Sequence, residues 1–153
     1  MITKEDDGLW VTMEESIALH YEEVFACLTT VAGLTRWFCL SAEIDLRSGG
    51  TIVLGWDPKL ERKTTIAILE FDPGGRVTWD WYAANGDTHA PVYWEVQPST
   101  EKGAIVRLRQ GPFKPDLDHA IRMAEEAQTW RWHLCNLRTT LEVKHDMRKV
   151  RPL

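Results

Sequence analysis

The sequence predicts a single α+β domain, residues 1–153, in which a curved antiparallel sheet of about seven strands wraps around a long C-terminal helix. Two observations predict this architecture. Apolar residues alternate with period two between glycine-rich turns through the middle of the chain, and they recur at steps of three and four near its end. Two shorter segments with helical spacing follow the first strand. A chain of 153 residues is long enough to bury one hydrophobic core.

The strands and short helices follow one another without a linker or an internal repeat. The first strand covers LWVTMEESIALH, and the helical segments after it are YEEVFACLTT and GLTRWF. Six antiparallel strands come next: SAEIDL, TIVLGW, KTTIAILEF, RVTWDWYA, APVYWEVQP and AIVRLRQ. The turns RSGG, DPGG and NGD join some of them, because glycine supplies the positive φ angles that tight turns need.

Two adjacent carboxylates, Glu14 and Glu15, interrupt the alternation of the first strand. Neighbouring strand residues point to opposite faces, so a regular strand would turn one of them inward. A buried carboxylate is costly without a partner, and Arg107 or Arg109 on the last strand would be the natural one. We expect instead that the strand bulges here and that both side chains face water.

The last element is a helix from about Asp116 to Glu142, with Pro115 before it and Asp116 as its N-cap. Its apolar stripe begins with small side chains and ends with bulky ones: Ala120, Met123, Ala127, Trp130, Leu134, Leu137 and Leu141. We therefore expect space between the sheet and the first half of this helix. The basic segment beyond it, VKHDMRKVRPL, is expected to be a solvated end.

The chain contains eight tryptophans, and those of two strands, Trp79, Trp81 and Trp94, fall at alternating positions. Rings of this size either form an ordinary aromatic core or line a ligand pocket with a few polar anchors. The candidate ligand-binding residues are Trp37, Phe38, Trp56, Trp79, Trp81, Trp94, Ala120, Met123, Ala127 and Trp130. The sequence leaves open whether the rings fill the space or border it.

Composition and motifs exclude several classes of function. The 18 basic and 23 acidic residues give a net charge of −5, which argues against a general nucleic-acid binder. The five histidines lack metal-ligand spacing, and no glycine motif for a phosphate or dinucleotide is present, so no metal or cofactor is expected. No catalytic residue is identified, although His89 precedes a strand and could reach a pocket mouth.

The location and assembly of the protein are predicted from weaker signals. No stretch approaches the roughly 18 apolar residues of a membrane span, and the start of the chain lacks the pattern of a signal peptide. Three scattered cysteines, Cys27, Cys39 and Cys135, indicate reduced thiols and a cytoplasmic protein. Trp132 and Tyr93, if exposed, are candidates for a homodimer contact.

Six segments in order resemble a known family: EEVFACLTTVAGLTRWF, AEIDLRSGGTI, EFDPGGRVTWDW, VYWEVQP, GAIVRLRQGPF and WRWHLCNLRTTLE. They are similar to bacterial proteins related to the C-terminal domain of the heat shock protein 90 ATPase activator. This family belongs to the START-like (SRPBCC) superfamily, whose fold is the helix grip. The resemblance covers roughly Trp10 to Glu142. Its matched positions include the WF pair, the GG turn, the strand aromatic and the helical W…L..L pattern: Trp37, Phe38, Gly49, Gly50, Trp81, Trp130, Leu134 and Leu137.

The resemblance implies a hydrophobic cavity between the sheet and the long helix that binds a small lipophilic molecule. Two alternatives stay open, a cyclase- or hydrolase-type enzyme acting in the same cavity and a cofactor that stimulates a chaperone ATPase. The eukaryotic activators have two domains, and this chain has no room for the second. Asp80 and Thr129 depart from the family pattern, which has Thr and Gly at those positions.

Overall fold

The computed structural model describes residues 1–81, 89–100 and 102–150 of the chain. They form an antiparallel sheet of eight strands in the order β1-β2-β8-β7-β6-β5-β4-β3, with two short helices and one long one. The elements are β1 (Ile2–Glu5), β2 (Gly8–Ile17), α1 (Tyr21–Thr29), α2 (Val31–Trp37), β3 (Ser41–Ile44), β4 (Thr51–Gly55), β5 (Lys63–Asp72), β6 (Arg76–Asp80), β7 (Val92–Pro98), β8 (Ala104–Phe113), α3 (Leu117–Val143) and a 3-10 turn (Met147–Lys149).

The helix-grip architecture predicted from the sequence is confirmed, with one more strand than expected. The added strand, β1, pairs with β2 so that Ile2 lies opposite Val11 and Glu5 opposite Gly8. Its side chains are mostly exposed, so it carries no apolar alternation from which a strand could be predicted. The predicted NGD turn lies outside the described residues.

The prediction of a bulge at Glu14 and Glu15 was wrong. The pairing of β2 with β8 is regular there, and the irregularity in register falls between Leu9 and Val11. Glu14 lies opposite Arg107 and accepts a hydrogen bond of 2.7 Å from its Nε. The expected arginine therefore pairs with the carboxylate on the exposed face of the sheet.

Glu15 lies on the face of β2 that packs against α3, and its side chain is only 12% exposed. Its two carboxylate oxygens accept hydrogen bonds from Arg131 at 3.0 Å and from Arg138 at 2.9 Å. Both arginines are on α3, so the compensation of this inward carboxylate comes from the helix and not from the neighbouring strand. The strand sequence alone could not reveal those partners.

Helix α3 agrees with the predicted helix to within one residue at each end. Asp116 is its N-cap, and its side chain accepts a hydrogen bond of 2.9 Å from the backbone N–H of His119. Lys144, which has a positive φ of 54°, ends the helix. The bulky half of its stripe is fully buried, with Leu134 and Leu137 showing no exposed surface.

Lys144, His145, Lys149 and Val150 are exposed, as expected of a solvated end, but the middle of the segment after α3 is anchored to the protein. We call residues 144–150 the C-terminal strap, because Arg148 ties it back to the end of α2. The guanidinium of Arg148 donates to the carbonyl oxygens of Thr35, Arg36 and Cys39 at 3.0, 2.9 and 2.8 Å and pairs with Asp146. This anchor was not predicted, because a basic composition does not show that the carbonyl groups ending a distant helix are within reach.

Candidate functional site

An aromatic cluster fills the centre of the space between the sheet and α3. Its members are Trp37, Phe38, Trp79, Trp94 and Trp130, none of which is more than 2% exposed. Ring centroids lie 5.3 Å apart for Trp79 and Trp94, 5.6 Å for Trp94 and Trp130, and 5.8 Å for Phe38 and Trp130. These separations are typical of packed aromatic pairs, so the rings form a true core here.

A crevice of about 220 Å³ lies at the edge of the aromatic cluster. Its lining residues come from the end of α2, the ends of β4 and β6, and one face of α3: Phe38, Trp56, Trp81, Glu126, Thr129, Trp130 and His133. Typical small-molecule sites measure about 300–1,000 Å³. The crevice is therefore sized for a small molecule or for one group of a larger one.

The sequence-based candidates divide between the cluster and the crevice. Four of them line the crevice (Phe38, Trp56, Trp81 and Trp130), whereas Trp37, Trp79 and Trp94 are buried in the cluster beneath it. The three candidates from the small half of α3 are outside the lining, with Met123 buried and Ala120 and Ala127 half-buried. The tryptophans thus both fill the space and border what is left of it.

Two of the lining tryptophans direct their N–H groups into the protein. Trp56 Nε1 donates to Thr64 Oγ1 at 3.0 Å, and Trp130 Nε1 donates to Gln110 Oε1 at 3.0 Å. Both bonds fix the orientation of the indole rings. Because these donors are already used, the two rings can offer a ligand only their apolar edges and π faces.

Gln110 on β8 connects the core to the polar part of the crevice. Its side chain is fully buried, and its Nε2 donates to the carbonyl oxygen of Ala90 and to Glu126 Oε2, both at 3.2 Å. Together with the bond from Trp130, these contacts use both ends of the amide. Gln110 therefore holds Trp130 and Glu126 in fixed positions on one face of α3.

His133 is the second polar residue of the crevice, and it is 5% exposed. Its Nδ1 has no hydrogen-bond partner among the described residues. Burial, together with the positive charge of Arg148, lowers the pKa of His133 to about 4. The imidazole is consequently neutral at pH 7, when it has both a donor and an acceptor nitrogen.

Sequence reasoning missed Glu126 and His133 as lining residues. A usable signal was present, because they are four residues before and three residues after Trp130. Side chains at these spacings share one helix face. Because Trp130 was already a candidate, Glu126 and His133 could have been predicted as lining residues from their spacing on the helix.

Two further polar atoms in the aromatic cluster lack partners among the described residues, Trp79 Nε1 and Trp94 Nε1. Leaving a buried donor unpaired costs about 1–3 kcal/mol. In native proteins such atoms are explained by a bound water or ion, by strain or by a functional role. They lie in the same cluster as Trp130, whose ring is one wall of the crevice.

His89, Cys27 and Cys39 lie outside the lining of the crevice. His89 is exposed, and its Nδ1 is 3.0 Å from Asp80 Oδ1. Cys27 and Cys39 are buried free thiols, and burial raises the pKa of both, to about 11 for Cys39. Neither thiol is therefore activated as a nucleophile.

Neither a metal cluster nor a spanning helix was found in the part of the chain that the structure describes. No three His, Cys, Asp or Glu side chains are grouped there so that they could hold a metal ion. None of the helices there is long and apolar enough to cross a membrane.

Comparison with solved structures supports the fold. Protein SSP2350 from Staphylococcus saprophyticus superposes with a TM-score of 0.76 at 18% identity, covering 91% of this chain and 96% of that one. The Aha1 dimer from Colwellia psychrerythraea gives 0.70 at 19% identity, with 88% and 96% covered. CalU16 from Micromonospora echinospora gives 0.72 at 18% identity, with 98% and 86% covered. At these identities the likeness shows the fold alone.

Comparison of the amino-acid sequence with curated proteins and with protein families identifies one family. No curated protein is significantly similar to this chain. The model of one family, described as "Activator of Hsp90 ATPase homolog 1-like protein", matches residues 18–142, which span α1 to the end of α3. The chain is therefore a member of the Activator of Hsp90 ATPase homolog 1-like family.

Proposed function

We propose that the protein binds a small hydrophobic or aromatic molecule in the crevice beside the aromatic cluster. The observation that carries the proposal is the lining itself, in which four aromatic rings surround an open space with only a few polar groups. Small-molecule sites are usually built in this way, with apolar walls for affinity and a small number of polar groups for orientation. Burial of apolar ligand surface contributes about 25 cal/mol per Å².

The polar groups fit the same role. Gln110 fixes Trp130 and Glu126, while His133 presents a neutral imidazole in an apolar setting. Because these residues are held by the rigid elements β8 and α3, the site is largely formed before a ligand arrives. A preformed site loses little free energy to ordering on binding.

The test is an NMR titration of the ¹⁵N-labelled protein with 2-naphthol, an uncharged aromatic molecule of two fused rings. Each of the eight tryptophans carries one indole N–H group that this experiment observes. We expect the signals of Trp56, Trp81 and Trp130 to shift, while that of Trp10, which lies outside the crevice, stays in place. Saturating shifts confined to the lining residues would support the proposal, and unchanged signals would refute it.

A pair of matched variants locates the binding. Thr129 lines the crevice and is exposed, so Thr129→Trp is expected to fill the space without disturbing the core and to weaken binding at least tenfold. Gln128 is exposed on the same helix outside the lining, so Gln128→Trp should leave the affinity unchanged. Trp81→Ala, in a protein that still folds, should weaken binding as well. Equal affinities in all three variants would place the ligand elsewhere.

The enzymatic alternative has two titratable groups to draw on, Glu126 and His133. They are seven residues apart on α3, which corresponds to about 10 Å along the helix. Because both residues line the crevice, each could act on a different end of a substrate. Turnover of a lipophilic substrate that is lost in both Glu126→Gln and His133→Gln would favour this alternative over simple binding.

The alternative of a chaperone cofactor follows from the family name. A pull-down with the host's chaperone, followed by an ATPase assay, tests it directly. Stimulation of ATP hydrolysis that survives Thr129→Trp would show an activity independent of the crevice. Absence of any association would remove this alternative.

Location and assembly are also proposals. We infer a cytoplasmic protein because three free cysteines suit a reducing compartment. A homodimer is supported by the Colwellia psychrerythraea Aha1 protein, whose solution structure is that of a dimer. Of the two aromatic residues considered for its contact, Tyr93 is 40% exposed and Trp132 is half-buried. Light scattering during gel filtration decides the oligomeric state, and a Tyr93→Ser variant tests the contact.

A further inference from the structure

We propose that the molecule held in the crevice carries a hydroxyl group on an otherwise apolar body, and that this hydroxyl forms a hydrogen bond with the imidazole of His133. The inference rests on the function proposed above and narrows the class of ligand. It makes His133 the residue that distinguishes a phenol or an alcohol from a hydrocarbon of the same shape.

The first argument is that His133 has hydrogen-bonding capacity that the protein does not use. The residue is 5% exposed and lines the crevice. Neither of its ring nitrogens has a hydrogen-bond partner in the part of the chain that the structure describes. Nδ1 is enclosed by the protein, whereas Nε2 is at the outer end of the ring, farther from the helix backbone. We therefore assign Nε2 as the nitrogen that meets the ligand.

The second argument is that the surroundings of His133 offer it little but aromatic carbon. Four rings surround the imidazole with centroids 4.8 to 6.3 Å away: Phe38, Trp132, Trp130 and Trp37. The indole N–H of Trp37 is already bonded to Cys27 O at 2.8 Å. That of Trp130 is bonded to Gln110. These two donors are therefore not available to the imidazole.

The third argument is the charge state of His133. Arg148 is close enough to act on it, but its guanidinium donates to Asp146 and to carbonyl oxygens near the end of α2. Burial and this positive charge keep the imidazole neutral at pH 7, because they lower its pKa to about 4. One nitrogen of a neutral imidazole donates and the other accepts, and a hydroxyl can be the partner of either. A carboxylate can only accept, and it would bring a charge into an apolar space.

The fourth argument is the contrast with other polar groups of the lining, which already have partners. Thr129 Oγ1 donates to Glu125 O at 3.0 Å within α3. Glu126 Oε2 accepts from Gln110 Nε2 at 3.2 Å. A buried polar group without a partner costs free energy, and a ligand that supplies the partner recovers it. His133 is therefore the place in the lining where a hydroxyl gains most.

The test compares 2-naphthol with 2-methylnaphthalene, in which a methyl group replaces the hydroxyl. The dissociation constant of each probe is measured from the indole N–H signals of the full chain. A methyl group is more apolar than a hydroxyl, so the ratio of the two constants is compared between variants. We expect the preference for 2-naphthol, expressed by this ratio, to fall at least about fivefold in His133→Leu. The ¹⁵N signals of the His133 imidazole should also shift more with 2-naphthol than with 2-methylnaphthalene.

Two further variants assign the effect to the ring nitrogen. His133→Gln keeps an amide with a donor and an acceptor near the position of Nε2, so it should retain most of the preference. His145→Leu removes an exposed imidazole outside the lining and should leave the preference unchanged. Urea unfolding checks that each variant is folded. If His133→Leu does not fold, the imidazole signals of the parent protein decide the question.

Each outcome decides the inference. A preference lost in His133→Leu and kept in His133→Gln and His145→Leu supports it. A preference that persists in His133→Leu, or imidazole signals that respond equally to both probes, overturns it and leaves the proposed function in place. The imidazole would then be a packed ring whose N–H makes only a weak contact with an aromatic face. If neither probe binds, the proposed function fails together with this inference.

Discussion

Replacing the buried Gln110 with leucine is expected to lower the free energy of unfolding by about 1–5 kcal/mol. The change removes the acceptor of Trp130 Nε1 and the donor to the carbonyl oxygen of Ala90, whose bond lengths are 3.0 and 3.2 Å. Each buried group left unpaired costs about 1–3 kcal/mol. The extra apolar surface of leucine offsets about 1 kcal/mol of the sum.

The assay is urea unfolding at pH 7 followed by tryptophan fluorescence, with the slope m compared between variants. Gln97 on β7 is exposed, so Gln97→Leu is the control and should change stability by no more than about 0.5 kcal/mol. A Gln110→Leu protein as stable as the parent, at unchanged m, would mean that the hydrogen bonds of Gln110 do not organise this part of the core. The positions inferred for Trp130 and Glu126 would then lose their main support.

Three further predictions concern acid stability, the C-terminal strap and the contact between α1 and α2. Folding lowers the pKa of His133 from 6.5 to about 4, so as the pH falls the unfolded chain binds the proton first. Stability should therefore decrease between those two pH values, by up to roughly 3 kcal/mol, and less in His133→Gln, as measured by urea titrations at several pH values. Asn136 donates to Trp37 O and accepts from Met147 N at 2.8 and 2.7 Å, so Asn136→Ala should release the strap and speed tryptic cleavage after Arg148 several-fold, as seen by mass spectrometry. A Cβ added at Gly33 would lie 2.1 Å from Ala26 O, so Gly33→Ala should lower the free energy of unfolding by about 2 kcal/mol or more in urea titrations, despite alanine's higher helix propensity. Gly74→Ala is the control, because the added Cβ meets only the flexible side chain of Asp72 and should leave the stability unchanged.

The sequence predicted those parts of the fold that depend on local patterns. The alternation of β4 to β8 and the stripe of α3 are set by which residues must be buried, and they were located closely. β1 was missed because its residues stay largely exposed and its only reason to be a strand is the edge of β2 beside it. A strand that forms by pairing alone leaves little trace in its own composition.

The site was predictable in kind but not in detail. The richness in tryptophan indicated an aromatic site, yet whether a ring fills a space or borders it depends on packing in three dimensions. Trp79 and Trp81 are two residues apart in the sequence, but Trp79 is fully buried in β6 and Trp81 lies just beyond the end of that strand. Glu15 shows the same limit, because its partners Arg131 and Arg138 are more than a hundred residues away in sequence.

The order of the strands also has a consequence for how the protein folds. Among the described residues, six of the seven strand pairs join consecutive strands, and the exception is β2 with β8, which brings Ile17 beside Ala104. Consecutive pairs close short loops, whereas this one closes a loop of most of the chain and so costs more entropy. We expect the β3–β8 meander to gain structure early and the β2–β8 ladder to set the folding rate. Gln110 is part of that ladder, so the crevice should be completed only in the slowest step of folding.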